Sequence, residues 1–253
     1  MIRRVERSSD KVSSVLMSQF KRENDLNEDF SYNGIVMILG CGGIGSHVAE
    51  IVGSMQGISD IILFDNQTIE LSNLNRTAFF YENLRGYKVE EIAKIISSRN
   101  LGVSVYPVNE MFNEESLENI EKHTKLFKSL EEMTVIDCRD EYYGDYNLFE
   151  KLDIFKPNFI RVAYDGMSIT IDLDPEKHPV HGSGGYSTTP SHSIPARMAA
   201  LLAVTFFVYE RELRKTHSEI ITTPMTFNVS DIIGFIFNGV QAFREEEKIN
   251  EKK

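Results

Sequence analysis

Residues 35–45 read Ile-Val-Met-Ile-Leu-Gly-Cys-Gly-Gly-Ile-Gly, an apolar run that breaks directly into glycines. The run 35–39 is short, rich in branched side chains and without alternation, which suits a strand covered on both faces. Gly40, Gly42 and Gly45 then stand at G-x-G-x-x-G spacing. Between a strand and a helix, such glycines allow a tight turn and a close backbone approach, and the helix start offers unpaired N–H groups to phosphate. The following helix carries Val48, Ile51, Val52 and Met55 on one face and stops near Gly57. Residues 61–64 form the next buried strand. It ends in Asp65, 20 residues past Gly45, where a carboxylate can accept hydrogen bonds from a ribose. Strand, glycine turn, helix and strand make a βαβ unit, which crosses over right-handed into a parallel sheet. NAD and ATP both satisfy this feature.

The alternation continues outward. Residues 88–98 are predicted helical, 103–108 a strand, 115–130 a helix, and 133–136 a strand ending in Asp137. A helix around 148–152 and strands at 159–163 and 168–173 follow, the last two joined by a tight turn at Asp165-Gly166. An apolar helix at 195–213 and a strand at 225–229 complete the pattern. Met198, Leu201, Leu202, Phe206 and Tyr209 form a stripe on that helix, suited to a core or a dimer seam. The expected fold is α/β: a Rossmann-like, mostly parallel sheet flanked by helices, with a C-terminal antiparallel extension. Residues 1–33 read as an N-terminal helical arm, and 34–253 as one domain with a crossover loop about 174–193.

A second group of residues separates the nucleotides. Glu70-Leu71-Ser72-Asn73-Leu74-Asn75-Arg76 follows Asp65, and Lys88 lies twelve residues beyond Arg76. A dehydrogenase needs no cations aimed at a third phosphate. An enzyme that opens an α-phosphate and expels pyrophosphate does, because charge builds on the bridging and leaving oxygens. Arg76 can fork onto phosphate oxygens, and Lys88 can act as a compact point charge. The plain alternative is that Asn73, Arg76 and Lys88 are solvated loop polars. Asp140 sits just past a strand end, where ligand sites form in parallel sheets, and magnesium favours one or two carboxylates plus phosphate oxygens. Asp137, at the strand end itself, reads as structural.

ILGCGGIGS, ILFDNQTIELSNLNR, GYK and VIDCRD together resemble the ThiF/MoeB superfamily, the adenylating fold shared with ubiquitin-activating enzymes, over about residues 35–173. The resemblance implies that ATP and Mg2+ activate the C-terminal carboxylate of a small ubiquitin-like protein or peptide as an acyl-adenylate. It implies that Gly40, Gly42, Gly43 and Gly45 line the phosphate side and that Asp65 takes the ribose. Asn73 and Arg76 would contact the phosphates, Lys88 the reacting phosphate and Asp140 the metal, with Arg76, Lys88 and Asp140 catalytic. It also implies a homodimer in which Arg3, Arg4 or Arg7 reaches the partner's γ-phosphate, and a loop at 181–193 draped over the bound tail. The chain departs from the family pattern in five ways: Glu141 follows Asp140, the spacing to Lys88 is about one residue shorter than usual, Gln67 replaces an acid, Thr77 follows Arg76, and no Cys-x-x-Cys pair occurs. No zinc is expected. A NAD-dependent oxidoreductase and a catalytically silent ThiF-like binding scaffold are the competing functions.

Composition bounds the rest. The 253 residues carry a formal net charge of −11, which argues against a protein that coats nucleic acid or an anionic membrane. Two cysteines, Cys41 and Cys138, support neither a disulfide framework nor a thiolate zinc site. As buried small hydrophobes they are not expected to form a thioester. His47 reads as structural, and His178, His181 and His192 as loop histidines without ligand spacing. With no apolar h-region at the N-terminus and no apolar run approaching about 20 residues, the expected location is cytoplasmic.

Overall fold

The computed structural model describes residues 34–124, 133–140, 146–152, 157–175, 192–216 and 224–234. Arg3, Arg4 and Arg7, the N-terminal arm and most of the loop 174–193 lie outside these residues. Seven strands form one sheet: β1 (Gly34–Leu39), β2 (Ile58–Phe64), β3 (Ser104–Val108), β4 (Met133–Asp137), β5 (Asn158–Asp165), β6 (Ser168–Asp172) and β7 (Met225–Asn228). Their spatial order is β3-β2-β1-β4-β5-β6-β7. Strands β1 to β5 pair in parallel, while β6 and β7 add antiparallel. The expected α/β sheet with an antiparallel extension is therefore what the chain adopts. Gly166, at φ +56°, turns the chain between β5 and β6, whose Asp165 and Ser168 pair directly.

Among the described residues five α-helices flank the sheet: α1 (Gly43–Gly53), α2 (Lys88–Arg99), α3 (Glu114–Thr124), α4 (Leu148–Lys151) and α5 (Ser193–Thr216). Alternation along β1 shows why the strand lacks a polar face. Val36 and Ile38 join Val48 and Val52 of α1, Ile92 of α2 and Ala199 of α5 in one core. Ile35, Met37 and Leu39 join Leu117 of α3 and Phe149 of α4 in the other. The second core is aromatic: Phe112 meets Phe64 edge-on at 5.2 Å between ring centroids and Phe149 at 5.9 Å.

Of the two readings of the α5 stripe, core or dimer seam, the structure speaks against the first. Leu201 and Tyr209 are exposed and Met198, Leu202 and Phe206 only partly buried, so the predicted stripe is not the core face. Ala196, Ala199, Ala200, Ala203, Val204 and Phe207 are buried instead. A helix apolar all round does not declare its inner face by pattern. Its row of alanines lets α5 lie close to α1 and β5, where larger side chains would not fit.

Candidate active site

Strand order reverses between β2 and β4, the two neighbours of β1, so the carboxyl ends of β1 and β4 splay around a crevice. A cleft of about 290 Å³ opens there. Gly40, Gly42, Gly43, Asp65, Asn73, Arg76, Lys88 and Asp140 all line it, though they are spread over a hundred residues of sequence.

The first wall is the glycine turn. Gly40 extends the ladder by donating its N–H to the Phe64 carbonyl at 2.7 Å, then turns at φ +83°, a conformation that favours glycine. Gly42 precedes α1, and no side chain caps that helix start. The first-turn N–H groups are left facing the cleft with the positive end of the helix dipole. Gly45 stands apart from its partners and does not line the cleft. A Cβ there would collide with the Gly40 carbonyl oxygen, so this glycine lets the helix close onto the turn.

Asp65 fixes the second wall. Its Oδ2 accepts the Cys41 N–H and its Oδ1 the Gln67 N–H, each at 2.8 Å. Each oxygen keeps a further lone pair for a ligand hydroxyl. Lys88 is the first residue of α2 and is buried. Its Nζ donates to Gln67 Oε1 at 2.6 Å and lies 4.0 Å from Asp65 Oδ2.

The loop between them is built on Asn73. Its Oδ1 accepts the Glu70 N–H, and its carbonyl accepts the N–H groups of Arg76 and Thr77. This curl brings Arg76 back over the glycine turn, its Cγ and Cδ 3.6 Å from where a Gly43 Cβ would stand. The Arg76 Nη1 meanwhile donates to the Ser72 carbonyl and to Asn75 Oδ1. His47 of α1 donates from Nε2 to the Arg76 carbonyl at 3.1 Å. Burial, with Arg197 nearby, holds the imidazole below its usual range, so it stays neutral while bracing the loop.

The third wall follows β4. Asp140 lines the cleft, and its charge reaches the Tyr164 hydroxyl and the Cys138 thiol. Asp137 is buried at the strand end, where it binds Arg139 through a two-oxygen fork at 2.9 and 2.8 Å and accepts the Tyr146 hydroxyl at 2.7 Å. Arg139 thereby lies over the Phe112 ring, 5.6 Å from its centroid. Both cysteines are buried. Burial first, then neighbouring carboxylates, pushes both thiols well above their usual range, so neither holds a thiolate near neutral pH. Among the described residues no group of three or more potential metal ligands occurs. No described helix is long and apolar enough to cross a membrane.

Sequence reasoning missed Gln67 as the partner of Lys88, Arg139, Tyr164 and the segment Glu110-Met111-Phe112, all of which line the cleft. The departure at Gln67 was visible as a residue change, but its contact was not. Tyr164 gives no local signal, since only the placing of β5 beside β4 brings it to the glycine turn.

Known proteins resemble this chain in sequence or fold. Ubiquitin-like modifier-activating enzyme 5 of Aedes aegypti is 34% identical over 113 residues, 42% of this chain and 28% of that enzyme. The adenylyltransferase and sulfurtransferase MOCS3 of Xenopus laevis is 34% identical over 82 residues, 32% of this chain and 18% of its own length. The matched stretches thus span about a quarter of those relatives or less. In fold, the solved structure of PaaA superposes with a TM-score of 0.63 at 18% identity, covering 90% of this chain and 74% of PaaA. Escherichia coli MccB, solved with AMPCPP and the peptide MccA, gives 0.52 at 20% identity, covering 78% of this chain and 57% of that one. The ThiF family matches residues 26–166, from ahead of β1 to the turn after β5, and with more than half of its length inside that match this chain belongs to the ThiF family.

Proposed function

We propose that the chain adenylates a carboxylate: ATP binds in the cleft, the C-terminal carboxylate of a small ubiquitin-like protein or peptide attacks the α-phosphate, and pyrophosphate departs. The observation that carries this reading is the convergence of Arg76 and Lys88 with an uncapped helix start on one cleft, with Asp65 at its floor. Family membership and the names of the activating-enzyme relatives support it.

In this reading the adenine lies toward Met111 and Phe112, and the ribose donates to Asp65. The Asn73 amide nitrogen and Arg76 hold phosphate oxygens, because the Asn73 Oδ1 is already committed to its own turn. Lys88 faces the reacting phosphate. Asp140 would supply a carboxylate to Mg2+, an ion that takes one or two carboxylates together with phosphate oxygens. Bound there, the metal would neutralise charge on the departing pyrophosphate. The attacking carboxylate is already ionised near neutral pH, so no general base is required. Catalysis is positioning and charge stabilisation. Cys41 and Cys138 take no part, and the product is an acyl-adenylate without a thioester on either residue. An arginine from the partner's N-terminal arm would complete the triphosphate end.

ATP–pyrophosphate exchange with synthetic peptides ending in Gly-Gly tests the reading. Exchange should require Mg2+ and fall about a hundredfold in Arg76→Ala, the scale expected when one charge-stabilising donor is lost. Exchange that survives this substitution, or a calorimetric preference for NAD over ATP, would overturn it.

A further inference from the structure

We propose that the Tyr164 hydroxyl and the first-turn amides of α1 form an oxyanion subsite that takes a phosphate oxygen of the bound nucleotide. The proposal rests on the ATP reading above and adds to it a contact on β5.

Tyr164 stands one residue before the end of β5 and is only 7% exposed. Its hydroxyl is buried without a hydrogen-bond partner. Buried hydroxyls are ordinarily satisfied, and an orphan at a cleft marks a place where something else supplies the acceptor. The direction of the hydroxyl is clear from Gly43, the first residue of α1. A Cβ built there would lie 3.3 Å from the Tyr164 Oη, so the missing side chain leaves the oxygen facing the helix start. That helix is eleven residues long and has no side-chain cap. Its first amides are donors without intrahelical partners, and its dipole favours an anion.

The same point beside Gly43 has the Arg76 stem at 3.6 Å. A neutral donor and a helix start therefore meet beside the aliphatic stem of Arg76, a combination that suits an anionic oxygen. Burial raises the Tyr164 hydroxyl above its usual range, and the Asp140 charge adds to this against the pull of Arg76. The group stays protonated near neutral pH and so has a proton to donate. Arg76 at present donates to Ser72 and Asn75.

Titration calorimetry on the full chain, with Mg-ATP and with adenosine, tests the subsite through Tyr164→Phe, which removes one oxygen atom. Mg-ATP should bind about tenfold more weakly or worse, as for a lost hydrogen bond to a charged acceptor, while adenosine affinity stays unchanged. Unchanged Mg-ATP affinity, or an equal loss for adenosine, would overturn the subsite and leave the adenylation reading standing. Failure of the unsubstituted chain to bind Mg-ATP would remove both. A matching loss for Mg-ATP in Gly43→Ala, whose new methyl would crowd the hydroxyl, is the second expected result.

Discussion

Lys88 opens helix α2, the end at which a macrodipole disfavours a cation. It is also buried, so its ammonium has lost water as well. Neither placement helps the fold, and both make sense if an anion is to arrive. Asp65 Oδ2, 4.0 Å from Nζ, partly balances the charge, while Gln67 holds it through an amide oxygen that accepts from Nζ at 2.6 Å and adds no charge of its own. A carboxylate at that position would form a closed ion pair. Lys88→Ala should weaken ATP binding about tenfold, as for a lost hydrogen bond to a charged acceptor, whereas Gln67→Glu would only restore the acid of the family pattern. Calorimetry reads the effect directly, and equal affinities would mean that Lys88 does not serve as the phosphate's counter-charge.

At the scale of elements, the turn between β1 and α1 divides its labour among glycines that look equivalent in sequence. A Cβ on Gly45 would strike the Gly40 carbonyl, whereas one on Gly42 would meet nothing within 4 Å. Gly45→Ala should therefore cost about 3 kcal/mol, at the upper end of overpacking, because backbone and not a flexible side chain stands in the way. Gly42→Ala should stay within about 0.5 kcal/mol of the parent. Urea titration of both variants checks the contrast, and similar midpoints would refute it. This turn was the most legible part of the chain, because glycine spacing and flanking apolar runs are local signals. The βαβ succession and the 165–166 hairpin were legible for the same reason. The inner face of α5 was not, since the choice between alanines and leucines is made by how near α1 and β5 approach. The site was readable as far as its residues come from loops that follow strands. Tyr164 was hidden because long-range strand pairing places it, whereas Arg139 is oriented by Asp137 two residues earlier and carries no signal of its cleft contact in the sequence.

Across the whole molecule, a net charge of −11 surrounds a cleft that gathers Arg76, Lys88 and Arg139. A net negative chain offers an anionic nucleotide no overall attraction, so the adenylation reading leaves its hold to local donors. The proposed dependence on a partner's arginine makes assembly part of the same question. The exposed Ile194, Leu201 and Tyr209 of α5 give a second copy an apolar surface to cover. Sedimentation equilibrium should return about twice the 28.9 kDa chain mass, and Leu201→Glu with Tyr209→Glu should halve it. A monomeric parent chain would refute this assembly.

The central position of β1 also has a bearing on how the protein is made. Its Gly34 edge residue pairs with Ile58 on one side, but the opposite flank waits for a strand in which Met133 lies beside Ile35. While a ribosome delivers the chain from its N-terminus, that flank is an open template of unsatisfied amides and carbonyls for the time it takes to emit nearly a hundred further residues. Synthesis thus passes through a stage at which half of the sheet exists, the nucleotide cleft does not, and the most hydrophobic strand is available to pair with a neighbouring nascent chain.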